Sequence, residues 1–157
     1  MNATRNLLTA TGLAWLMLST APASAATAQL PDGTVVQLRL VSPITSEDAK
    51  AGDRIRFLVT RDVVRDGVVV IARGTPADGA VVAARRASWG FIWHKAALAF
   101  AFTQTTAVDG QTVTLRAPNA GGVISIDRSD YHHNLQWATE GDPLEASIVG
   151  NYAVGVW

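Results

Sequence analysis

Residues 61–79 read RDVVRDGVVVIARGTPADG, and the punctuation of this stretch decides the fold class. Asp66-Gly67 separates Val63-Val64 from the run Val68 to Ile71, and an Asp-Gly pair tolerates the positive φ angles that a tight hairpin turn requires. Two short valine-rich arms around such a pair make a β-hairpin. The second arm is apolar on both faces, which predicts a strand at the centre of a sheet. Arg73-Gly74-Thr75-Pro76 then breaks it, because proline lacks the N–H that a central ladder uses. Asp78-Gly79 reads as a further turn, with another strand from Gly79 to Ala84.

The same grammar extends in both directions. Val36, Leu38 and Leu40 share one face of TVVQLRL, as do Ile55, Phe57 and Val59 in RIRFLVT and Leu98, Phe100 and Phe102 in ALAFAFT. Val113 and Leu115 alternate with Thr112, Thr114 and Arg116. This period of two marks half-buried strands. Asp32-Gly33, Ala51-Gly52-Asp53 and Asp109-Gly110 supply the remaining turns. The nearest approach to a helix is SEDAKAGD, one or two turns at most, closed by Gly52. The expected fold is all-β, a small barrel or sandwich of about seven to nine short, mainly antiparallel strands.

The first residues have a different character. MNATRNLLTATGLAWLMLSTAPASAATA has a basic Arg5, an apolar run from Leu7 to Leu18 and a small-residue exit at Ala23-Ser24-Ala25, the pattern of a secretory signal peptide. A second possible exit is Ala28, so the exported chain is expected to begin at Ala26 or Gln29. The apolar run falls short of the roughly 20 residues that span a bilayer as a helix, and no later segment supplies a transmembrane helix. Cleavage after Ala25 leaves 132 of 157 residues, the size of one domain, 26–157. The chain has no cysteine, so export is expected without a disulfide framework. Without Arg5, 12 basic residues face 13 acidic ones. That balance argues against nucleic acid as a partner, since phosphate binding normally requires a basic excess.

The series LPDGTVVQLRL, ITSEDAKAGDRIRFLVTRDVV, DGVVVIARGTPADGAVV and ALAFAFTQTTAVDGQTVTLRA resembles a β-rich domain of poorly characterised secreted bacterial proteins. More distantly it looks like the periplasmic β-barrel domain of type IV secretion channel scaffolds. The resemblance covers roughly Leu30 to Ala117 and leaves a tail, 118–157, unmatched. It consists of turn residues and core valines, so it implies a fold more than a function. Where those domains carry Ile-Pro-x-Gly-Thr, this chain has Ile71-Ala72-Arg73-Gly74-Thr75. The scaffolds' membrane-spanning extension has no counterpart here, so a channel role is not expected.

Catalytic signatures are missing from the sequence: there is no Gly-x-Ser-x-Gly, no His-Glu-x-x-His, no Asp-Thr/Ser-Gly and no P-loop. No cofactor is implied. Asp127, Asp130, His132 and His133 in DRSDYHHNLQW are the candidates for a divalent metal, by ligand chemistry. Adjacent histidines point to opposite sides of an extended strand, so a polar surface loop is the preferred reading. Trp89, Phe91 and Trp93 in SWGFIWHKAAL cap one end of the barrel if folded inward and mark a protein or membrane-surface contact if exposed. With Tyr131 and Trp137 they are the candidate interaction or ligand residues. Trp157 ends the chain in an aromatic, as many outer-membrane barrels do. The residues two, four and six before it are Gly155, Ala153 and Asn151, a poor apolar face, and a spanning strand needs about 9–11 residues, so an integral barrel is not expected. Arg54, Arg56, Arg85 and Arg86 read as solvated guards of sheet edges.

The leading expectation is therefore an exported, periplasmic or extracellular non-enzymatic β-domain serving as an envelope interaction or assembly module. An envelope protein or membrane surface would be its partner. The alternatives are a small barrel binding a sugar or lipid and, behind it, a metal-dependent enzyme.

Overall fold

The computed structural model describes residues 26–86, 96–126, 129–130, 135–138 and 140–156, the side chains of 26, 126, 129–130, 135–137 and 156 excepted. These residues hold fourteen strands and no helix. In chain order they begin β1 (Ala26–Leu30), β2 (Val35–Leu40), β3 (Ile44–Thr45), β4 (Arg54–Val59), β5 (Val63–Arg65), β6 (Val68–Ile71) and β7 (Pro76–Arg85). They continue β8 (Ala97–Thr106), β9 (Thr112–Arg116), β10 (Ile124–Ile126), β11 (Ser129–Asp130), β12 (Leu135–Ala138), β13 (Pro143–Ile148) and β14 (Tyr152–Val156).

The main sheet has seven strands in the order β10-β8-β7-β4-β2-β13-β9, and β9 also pairs with β8. Six of them thus close into an antiparallel barrel, with β10 as an extra strand along the first half of β8. The alternation that announced each strand now has a location. Val36, Leu38, Leu40, Ile55, Phe57, Val59, Phe100, Phe102, Val113 and Leu115 are all buried in one core. Phe57, Phe100 and Phe102 meet with ring centroids 5.0–6.2 Å apart, in tilted and edge-on contacts of the kind aromatic rings favour. Each such buried side chain contributes about 1.5–3 kcal/mol. Arg39, Arg54, Arg56, Asp78, Arg116 and Glu145 are exposed on the same strands. β7 and β8 are ten residues each, longer than expected, but a wall carrying those charges does not suit lipid.

Four sequence expectations are corrected here. Val68 to Ile71 do not lie at the centre of the main sheet: β5 and β6 form a separate two-stranded ribbon. The run is apolar on both faces because β6 packs against β14 as well as the core, where Val70 and Ile71 are fully buried. Asp78-Gly79 is not a turn. It lies inside β7, where the register against β8 shifts between Asp78 and Gly79 and again between Val81 and Ala83. Such bulges bend a strand and increase its twist, which helps close a small barrel. Pro76 does not end a strand but begins β7, at the position a ladder tolerates. Finally, Arg54 and Arg56 guard no edge, because β4 is flanked by β2 and β7.

The other turn assignments hold. Gly33, Gly52, Gly67 and Gly110 all have positive φ, and Asp66 joins Gly67 at φ 50° to make the two-residue turn of the β5–β6 hairpin. SEDAKAGD yields a single turn, in which Thr45 Oγ1 accepts the N–H groups of Glu47 and Asp48 and the Thr45 carbonyl accepts that of Ala49.

The tail beyond Ala117 is part of the barrel. β13 stands between β2 and β9 and joins the two ends of the sheet. β14 pairs with β1 along its whole length, and Leu30, Ala28 and Val154 from that ribbon enter the same buried cluster as Val63, Val70 and Ile71. The β1–β14 and β5–β6 ribbons together cover one end of the barrel.

Candidate functional site

The described residues place a groove of about 520 Å³ beside this covered end. One wall is the start of β2, with Gly33, Thr34, Val35 and Gln37; the other is the segment Arg61 to Arg65 that leads into and through β5. The groove arises from a divergence of two strands. Thr60 still pairs with β2, donating its N–H to the Gln37 carbonyl at 2.9 Å and its hydroxyl to the same oxygen at 3.2 Å. Past Thr60 the chain leaves β4 and runs into the β5–β6 hairpin, so β2 loses its neighbour on that side at Val35.

Backbone alternation then fixes what faces the opening. Along a strand, the N–H and C=O of successive residues point to opposite sides. The Thr34 carbonyl accepts from Ile148 on the β13 side and the Gln37 carbonyl from Thr60 on the β4 side. Val35, two residues before Gln37, therefore turns both of its backbone groups toward the groove. Opposite it, Arg65 and Val68 close a two-residue hairpin and Val64 is the next residue out. In such a hairpin the closing pair exchanges hydrogen bonds, so Val64 turns its backbone groups away from β6. Among the described residues no strand pairs with Val35 on the groove side or with β5 on the side away from β6. Val35 and Val64 are each 51% exposed.

Arg65 spans the two walls. Its Nη2 donates to Thr34 Oγ1 at 2.9 Å, and that hydroxyl donates in turn to the Pro31 carbonyl at 2.8 Å. Arg65 Nε is buried and makes no hydrogen bond to the protein. Asp62, the acidic residue of the lining, accepts the Arg73 N–H at 2.5 Å through Oδ1. The groove thus combines two guanidinium groups, one carboxylate already engaged by backbone, two exposed valines and unpaired main-chain groups. It can bind a chain or an anion. Among the described residues its polar side chains are those of Thr34, Gln37, Arg61, Asp62 and Arg65.

Trp89, Phe91, Trp93, Asp127, Tyr131, His132 and His133 fall outside the described residues. Asp130 ends β11, paired with Leu135, and Trp137 lies on β12 opposite Thr45, in a three-stranded sheet β11-β12-β3. Among the described residues no group of three or more His, Cys, Asp or Glu is placed to hold a metal. The groove residues were not singled out by sequence. Their signal is weak but present: Val35-Val36 and Val63-Val64 are valine doublets, and in a strand one member of each doublet must face outward.

No protein-family model and no curated protein matches the chain. Among solved structures it is similar to ComB10 of the Com type IV secretion system of Helicobacter pylori. The two share 12% identity over 80% of this chain and 89% of that chain, with a TM-score of 0.46.

Proposed function

We propose that this chain is an exported, non-enzymatic β-barrel of the cell envelope that acts as an interaction or assembly module. The observation that carries the reading is the groove between β2 and β5. It presents unpaired backbone, exposed valine and arginine together, a combination suited to holding another polypeptide. The filled barrel supports the same reading, since Phe57, Phe100 and Phe102 occupy the interior where a small barrel would otherwise hold a sugar or lipid.

Site-specific photo-crosslinking tests this. A photoreactive residue is placed at Val64, or at the exposed Val108 as a control, in the chain expressed with its leader. The expected result is a discrete crosslinked envelope protein from position 64 and none from 108. Equal labelling at both positions, or none at either, would count against an interaction module acting through this face.

A further inference from the structure

We infer that the groove takes an extended, acidic segment of a partner protein as an added strand; this deepens the proposed interaction role and rests on it. Three independent features select that occupant. First, the unpaired backbone groups of Val35 and Val64 face the opening from opposite walls, and an inserted strand could satisfy both, whereas a globular surface could satisfy neither. Second, the walls meet at Thr60 and Gln37 and are spanned again where Arg65 reaches Thr34, so the opening runs along β2 for about 10 Å, the length of a three-residue extended segment. Third, the free charge is cationic. Arg61 and Arg65 outnumber Asp62 in the lining, Asp62 Oδ1 already accepts the Arg73 N–H, and Arg61 is exposed. A carboxylate on the incoming strand would meet the exposed Arg61 guanidinium in a charge-assisted pair. Alternate apolar side chains of the same strand would lie on Val35 and Val64, because neighbouring residues of a strand project to opposite faces.

The probe is a fluorescein-labelled heptapeptide of alternating glutamate and valine, titrated with the exported protein and followed by fluorescence anisotropy. Saturable binding is expected, with three controls. A lysine–valine peptide should bind at least about tenfold more weakly, because its ammonium groups would face the arginines of the lining. The glutamate–valine peptide N-methylated at every residue should lose binding altogether, since it keeps its charge but not its ladder donors. Arg61→Glu, at an exposed position that bears no structural bond in the groove, should weaken binding about tenfold while leaving the thermal unfolding midpoint unchanged.

Equal binding of the N-methylated peptide would overturn strand addition in favour of plain charge attraction. Concentration-dependent dimerisation in sedimentation, abolished by Arg61→Glu, would identify a second copy of this chain as the occupant instead. No peptide binding alongside a persistent crosslink from position 64 would refute the acidic strand and leave the interaction role standing. Loss of both would refute the two together.

Discussion

Gly79 packs its bare Cα against the ring of Phe57: a Cβ there would stand 2.7 Å from Phe57 Cε2 and 2.5 Å from the Ala101 carbonyl oxygen. Neither neighbour can give way easily, because the carbonyl belongs to a ladder strand and the ring is fully buried among Phe100 and Phe102. Gly79→Ala is therefore expected to lower stability by about 2 kcal/mol or more, in the range of overpacked cores. Urea unfolding of the purified variant measures it. A change smaller than about 0.5 kcal/mol, the usual surface range, would mean that β7 can move away from β8 at the bulge.

This glycine also shows where the sequence was legible and where it was not. Alternation of Val36, Leu38 and Leu40, or of Ile55, Phe57 and Val59, is a local property, and each of those strands was readable with its buried face. Asp78-Gly79 has the same letters as Asp66-Gly67, yet one is a mid-strand bulge and the other a turn. The difference lies in Phe57 and Ala101, which come from two other strands. The place of Val68 to Ile71 was misread for a similar reason: its second apolar face is covered by β14, supplied by the far end of the chain. The groove was hard to read because its walls, Val35 and Val64, are brought together only by the folded path through Thr60 and the bond from Arg65 to Thr34.

At the hairpin tip, Gly67 has φ +78° with open space around its Cα, and Asp66 has φ 50°. Conformation alone sets the cost there. Gly67→Ala is expected to destabilise by about 1 kcal/mol, and Asp66→Val by about 1–3 kcal/mol, since a β-branched residue resists positive φ. Asp66→Asn should be neutral. Thermal unfolding of the three variants orders them. A tolerated valine would show that the turn can adopt another geometry.

Tyr152 ties the tail to the barrel through one hydroxyl, which donates to the Val149 carbonyl and accepts the Thr114 N–H, both at 3.0 Å. Tyr152→Phe keeps the ring and removes both bonds. The expected loss is about 1 kcal/mol for each, lessened at Thr114 because that residue is exposed and water can replace the acceptor. Amide exchange at Thr114 should quicken in the variant. Unchanged exchange with unchanged stability would show that the hydroxyl is dispensable.

Ending the chain after Asp142 removes β13 and β14. The edges of β2 and β9 that β13 joins are then left open, and Leu30 and Val70 lose their cover. A chain cut there is expected to lose cooperative unfolding and the dispersed amide spectrum of the intact protein. If it stayed folded, residues 30–117 would form a domain without the tail, and the barrel would close by another route.

The start of β1 bears on how much of the leader region the fold uses. Ala26, Thr27 and Ala28 account for three of the five register pairs with β14, and Ala28 is buried at 2% exposure against the cluster that covers the barrel end. A chain beginning at Gln29 keeps Leu30 but leaves Val154 to Val156 without their β1 partners. It is expected to unfold at a lower urea concentration than one beginning at Ala26, by about 1–3 kcal/mol from lost ladder bonds and apolar burial. If the chain is exported as proposed, cleavage after Ala25 leaves this ladder whole, and intact-mass measurement of the exported protein reads the first residue directly. A mass corresponding to Gln29, together with equal stability of the two forms, would show that the first half of β1 contributes nothing to the fold.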